Sequence, residues 1–84
     1  MVKIEISTEY ITLGQFLKFA GIIDSGALAK QFLLEKCVFV NDERENRRGR
    51  KLYNNDVVNI DGIKYHVSSV FRNVKVWKYK NKQF

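Results

Sequence analysis

Apolar residues recur along this chain with two different periods, and the change between them separates helical from extended segments. Leu13, Phe16, Leu17 and Ala20 fall at i, i+3, i+4 and i+7, the spacing of one buried helix face. Thr12 stands just before them with Gln15 three residues on, a capping-box pattern in which each side chain can satisfy a backbone amide of the other. Gly21 is expected to end this helix. A second helix is predicted from near Asp24 or Ser25, either of which can accept hydrogen bonds from the first free amides. It runs to about Lys36, with Ala29, Phe32 and Leu33 facing inward, so the two helices are joined by a very tight turn.

Beyond the helices the period shortens to two. Residues 37–41 read as a strand, Asn41-Asp42 as a turn, and residues 56–60 as another strand. Asp61-Gly62 then marks a hairpin, because type I′ turns need positive φ at both central residues. The following strand alternates Ile63, Tyr65 and Val67 with Lys64, His66 and Ser68, which places the apolar set on a core face and His66 toward solvent. Cys37, followed by Val38, Phe39 and Val40, is expected to begin a partly buried strand as an inert thiol.

Composition narrows the functional classes. The chain has 84 residues and no proline, with no repeat, linker or low-complexity segment, so one small domain is expected, with a core over about residues 12–70. A core of that size leaves little room for a large enzyme active site, and no nucleophile or orienting carboxylate is discernible beside the single histidine, His66. One cysteine and one histidine build neither a disulfide nor a metal site. A non-enzymatic protein without cofactor, metal or small-molecule substrate is therefore expected, as a monomer. The opening MVKIEISTEY alternates apolar and polar residues without the apolar region of a signal peptide, and no window approaches eighteen apolar residues. A soluble, cytoplasmic protein with no membrane partner is the expectation.

Charge supplies the positive indication. Fifteen basic and nine acidic residues leave a net +6. Residues 71–84 hold Arg72, Lys75, Lys78, Lys80 and Lys82 and no acid, so most of the excess lies in the tail. Within VFVNDERENRRGRKL, an apolar strand runs directly into Arg44, Arg47, Arg48, Arg50 and Lys51. Arginine presents a rigid fork of donors that matches phosphate oxygens in pairs, and such a cluster repels itself unless solvent or a polyanion separates the charges. Nucleic acid is the first partner to consider.

The order LGQFLKFAGII, Ser25-Gly26 with Ala29-Lys30, then Val38, Val40 and Asn41, then RRGRKL and Asp56-Val57-Val58 resembles the S4 RNA-binding domain family over about residues 12–58. Within that family it is most similar to the small stand-alone bacterial proteins of the YaaA-like subgroup. The resemblance implies an α+β, S4-type (αL-motif) fold, two short helices packed on a small, mostly antiparallel sheet. It also implies structured RNA as partner, ribosomal RNA before transfer RNA, and for this subgroup a role in assembly of the large ribosomal subunit. RNA-binding roles carry over to Thr12, Ser25, Gly26, Lys30, Asn41, Arg47, Arg48, Arg50 and Lys51, with Arg44 added on charge alone. The helix start at Ser25-Gly26 suits phosphate independently, since free amides point outward there and Gly26 has no side chain to hold an anion away.

Structural roles compete with several of these assignments. Thr12 also fits a pure helix cap, Gly26 a tight turn, Asn41 turn geometry, and the arginines a solvated loop paired locally with Glu43 and Glu45. Asp56 is expected to be structural, since a carboxylate would repel phosphate. Asn55 stands where the family often has glycine before this aspartate, and asparagine tolerates left-handed geometry. The tail, residues 71–84, is a basic aromatic extension that fits an edge strand or, through Trp77 and Tyr79, a platform on which unpaired bases stack. Three other functional classes remain open: a protein-interaction adaptor, an RNA-targeting subunit for a separate RNA-modifying enzyme, and a DNA-binding protein.

Overall fold

Two helices cover one mixed sheet in the computed structural model, which describes residues 1–71. Strands β1 (Val2–Ile6) and β2 (Tyr10–Thr12) lead into α1 (Leu13–Phe19). A 3-10 turn (Gly26–Leu28) opens α2 (Ala29–Glu35). Then follow β3 (Val38–Val40), β4 (Glu43–Arg44), β5 (Lys51–Tyr53), β6 (Val57–Ile60) and β7 (Ile63–Ser69). The main sheet has the order β1-β7-β6-β3-β4, and β2 pairs with β5 in a separate ribbon. Among the described residues only β1 runs parallel to its neighbour, β7; the other pairs are antiparallel. This is the α+β, mostly antiparallel arrangement expected, and the alternating N-terminal segment supplies its parallel edge.

Helix α1 forms as its sequence predicts. Thr12 and Gln15 complete the capping box, with Gln15 N donating to Thr12 Oγ1 at 3.3 Å and Thr12 N to Gln15 Oε1 at 3.1 Å. Gly21, at φ 75°, lets the chain reverse so that its own amide meets Lys18 O and that of Ile22 meets Leu17 O. Leu13, Phe16 and Leu17 of α1 and Leu33 of α2 are fully buried against Val38, Val40, Val58 and Val67 of the sheet and Leu52 of the ribbon. The Phe16 ring meets Tyr65 edge-on, with centroids 5.9 Å apart.

The second helix starts differently from expectation. Ser25 makes no side-chain cap, and the first turn tightens so that Leu28 N reaches Ser25 O at 3.1 Å and Ala29 N reaches Gly26 O. Regular α-helix then covers only Ala29–Glu35, because Lys36 is already extended.

Asp61 and Gly62 have φ of 51° and 83°, the hairpin expected of that pair, and Asn41 and Asp42 close a second one at 51° and 69°. That second hairpin makes Glu43–Arg44 an edge strand, where a loop was expected. Three further expectations are corrected. Cys37 is exposed and lies outside β3, whose pairing with β6 ends at Val38 opposite Ile60. Ile63 is half exposed because it closes the β6–β7 hairpin beside the Asp61-Gly62 turn, at the end of the ladder, whereas Val67 is buried and Tyr65 partly so. His66 is half-buried, with Nε2 at 3.2 Å from Asn55 Oδ1, because Lys3 and Val57 flank it on the neighbouring strands. Asn55 itself takes φ 77°, the left-handed geometry anticipated for it. Among the described residues no helix is long and apolar enough to cross a membrane. The tail strand and the Trp77 and Tyr79 platform lie outside the described residues.

Candidate nucleic-acid interface

The arginine loop is held from within by an acid. Glu45 donates its amide to Val38 O at 2.9 Å, which draws its side chain inward and leaves the residue only 5 % exposed. The carboxylate then accepts from Arg47 N at 3.0 Å, Arg47 Nε at 2.9 Å, Arg47 Nη2 at 3.0 Å and Arg50 Nη1 at 2.9 Å. The Arg47 guanidinium, helped by the Arg47 amide and by Arg50, holds the Glu45 carboxyl down at about 2 against the opposing effect of burial.

The loop so shaped is fastened to the start of α1. Leu13 N donates to Arg50 O at 2.7 Å and Gly14 N to Arg48 O at 2.8 Å, so amides that a helix start leaves unpaired are satisfied by the loop backbone. The small size of Gly14 suits this approach. A Cβ there would stand 3.3 Å from Arg48 Cβ and 3.4 Å from both Ala29 Cβ and Arg48 O, closer than most side chains tolerate.

An open groove results between α1, the 3-10 turn and the loop. It is lined by Thr12, Gly14, Gln15, Lys18, Gly26, Ala29, Arg48 and Gly49. Gly26 leaves its own corner open, since a Cβ there would meet nothing within 4 Å, and neither its amide nor that of Ala27 has an acceptor among the described residues. Lys18 and Arg48 are exposed and have no ion-pair partner among the described residues. The groove therefore offers two cations to an anion of phosphate type, beside a turn whose first amides have no acceptor among the described residues.

The S4 domain family model matches residues 4–68. This chain belongs to the S4 domain family. A protein of Bacillus subtilis (strain 168) named probable ribosome maturation protein RlbA is 66% identical over 60 residues, which span 71% of this chain and 84% of that relative. No solved structure matches.

In this S4 domain the residues singled out from the sequence separate into groups. Thr12, Gly26 and Arg48 meet in the groove. Ser25 and Lys30 are exposed nearby without lining it. Lys51, opposite Thr12 in the ribbon, lies with Nζ 4.8 Å from the Tyr10 ring centroid. Arg44 is exposed on the edge strand β4 and does not line the groove. Arg47 and Arg50 are committed to Glu45, though Arg47 keeps a 73% exposed side chain. Asn41 is bound into the fold, its Nδ2 donating to Asp56 Oδ1 at 3.0 Å and its Oδ1 accepting from Val57 N at 2.9 Å. Asp56 is structural as expected, its Oδ2 also accepting from Tyr53 N at 2.7 Å.

Sequence reasoning missed Lys18 and Gly14 as contributors, and it had Glu45 only as a local partner of the arginines in a solvated loop. Lys18 follows Gly14 by four residues and Gln15 by three, opposite the apolar stripe, so a helical projection would have marked it. Gly14 carried a weaker signal, since glycine inside a first helical turn costs stability unless close packing requires it. The pairing of Glu45 with Arg47 and Arg50 is the local one anticipated, but its burial carried no signal because it follows from long-range pairing.

Proposed function

We propose that this protein binds structured RNA, ribosomal RNA in the first place, and acts without enzymatic activity in maturation of the large ribosomal subunit in the cytoplasm. The observation that carries this reading is the groove, where Lys18, Arg48 and the Gly26 turn face one space framed by a rigid loop. Cations gathered in one groove grip backbone phosphates and read shape, which suits folded RNA more than a particular base sequence. Family membership and the ribosome-maturation name of the Bacillus subtilis relative support the choice of RNA and of pathway.

Crosslinking of tagged protein to RNA in growing cells, followed by sequencing of the bound fragments, tests the reading. Sites clustered on large-subunit ribosomal RNA and lost in a Lys18→Glu, Arg48→Glu variant are the expected result. Clustering on transfer RNA or the small subunit would redirect the target, and partners retained after RNase treatment without RNA crosslinks would replace RNA by an acidic protein.

A further inference from the structure

The β2–β5 ribbon carries aromatic surface that the groove does not use. Tyr10 and Tyr53 are directly opposed in its register, so both rings leave the ribbon on one face, with centroids 5.7 Å apart and planes tilted by 45°. The opposite face holds Ile11 and Leu52, which are buried in the core. The tyrosines consequently remain 37% and 44% exposed. A cross-strand aromatic pair steadies a ribbon. That role accounts for the rings but not for what adjoins them.

Thr12 and Lys51 form the next pair on the same face. The Lys51 ammonium lies over the Tyr10 ring, and Thr12 borders the groove that also holds Lys18 and Arg48. One continuous face thus runs from two exposed aromatic rings, past a cation, into a cationic groove. Phosphate and base alternate along a nucleic acid strand, and unpaired bases stack on aromatic rings whatever their identity.

We propose that Tyr10 and Tyr53 form a stacking site for an unpaired base of the bound RNA, with Lys51 on the adjoining phosphate and the strand continuing into the groove. The site rests on the RNA-binding reading above and refines it. The protein prefers RNA in which a loop or bulge sits beside a helix over RNA that is fully paired.

The test uses the full chain with two RNAs of equal phosphate number, a hairpin whose adenine loop contains one 2-aminopurine and a blunt duplex. Wild type is expected to bind the hairpin more tightly and to quench the 2-aminopurine. Tyr53→Thr should lose about 5- to 150-fold in hairpin affinity, the range for one base stack, with the quench lost and the salt slope kept. Tyr53→Phe, which keeps the ring, should behave as wild type, and a thermal melt confirms that each variant is folded. Equal binding of both RNAs by wild type, or an undiminished hairpin affinity and quench in Tyr53→Thr, overturns the stacking site. If Arg48→Ala still lowers affinity and salt slope in that case, the phosphate groove survives by itself. Equal losses in Tyr53→Thr and Tyr53→Phe would assign the effect to the hydroxyl and likewise overturn stacking. Absence of salt-dependent binding to either RNA overturns both readings.

Discussion

Replacing Glu45 with glutamine isolates the charge that shapes the arginine loop. Glutamine has nearly the size of a protonated glutamic acid, so the variant stands permanently in the state that wild type reaches only in strong acid. Holding this carboxyl at about 2 instead of the ordinary 4.5 sets an upper bound of roughly 3 kcal/mol at about 1.36 kcal/mol per pH unit, and solvent screening of the 73% exposed Arg47 side chain brings the expected contribution to about 1–2 kcal/mol. The folded-state value lies below the unfolded one. The stabilisation is therefore complete above about pH 5 and is lost as pH falls through 4.5 toward 2. For a domain of this size, about 1–2 kcal/mol corresponds to a melting temperature roughly 5–15 °C lower. Melts followed by circular dichroism at pH 7, 4 and 2.5 should show Glu45→Gln far below wild type at pH 7, with the gap narrowing steadily in acid. A gap independent of pH, or none at neutral pH, would refute the clamp. The variant also adds a net positive charge, so charge alone favours tighter RNA binding, whereas loss of loop order favours weaker binding. Weaker binding is the expected outcome.

Arg48→Ala and Lys18→Ala should each lower the slope of log affinity against log salt by about one with little change in melting temperature, since neither side chain has an ion-pair partner among the described residues. Arg47→Ala should instead lower the melting temperature, by removing the Nε and Nη2 donors to the buried Glu45, although its backbone amide and Arg50 remain in place and limit the loss. Gly14→Val should destabilise by about 1–3 kcal/mol through overpacking against Arg48 and Ala29, read from denaturant titration. Asp56→Ala should cost about 1–2 kcal/mol, because Tyr53 N and Asn41 Nδ2 lose their acceptor, and should leave the salt slope of RNA binding unchanged.

Features set by near neighbours along the chain are legible in the sequence alone. The Thr12–Gln15 cap, the α1 stripe, Gly21 as terminator and the Asp61-Gly62 turn each depend on dihedral preferences and contacts within a few residues, and each stands where the pattern placed it. The motif order that resembles the S4 domain is legible for the same reason, since it is a succession of local signals. Tertiary structure decided what distant segments do to one another. The parallel pairing of β1 with β7 and the three-residue ribbon of β2 and β5 join segments about 60 and 40 residues apart, for which periodicity holds no register. Burial of Glu45 follows from its amide bonding Val38 O, and this turned two arginines of an apparent phosphate cluster into a clamp. Exposure of Cys37 and Ile63 likewise reflects where a ladder ends, which the alternation of side chains does not record. The candidate site itself is a tertiary product. Its cations are visible in the sequence, but their convergence depends on the loop backbone reaching the first amides of α1, an approach that the small size of Gly14 suits.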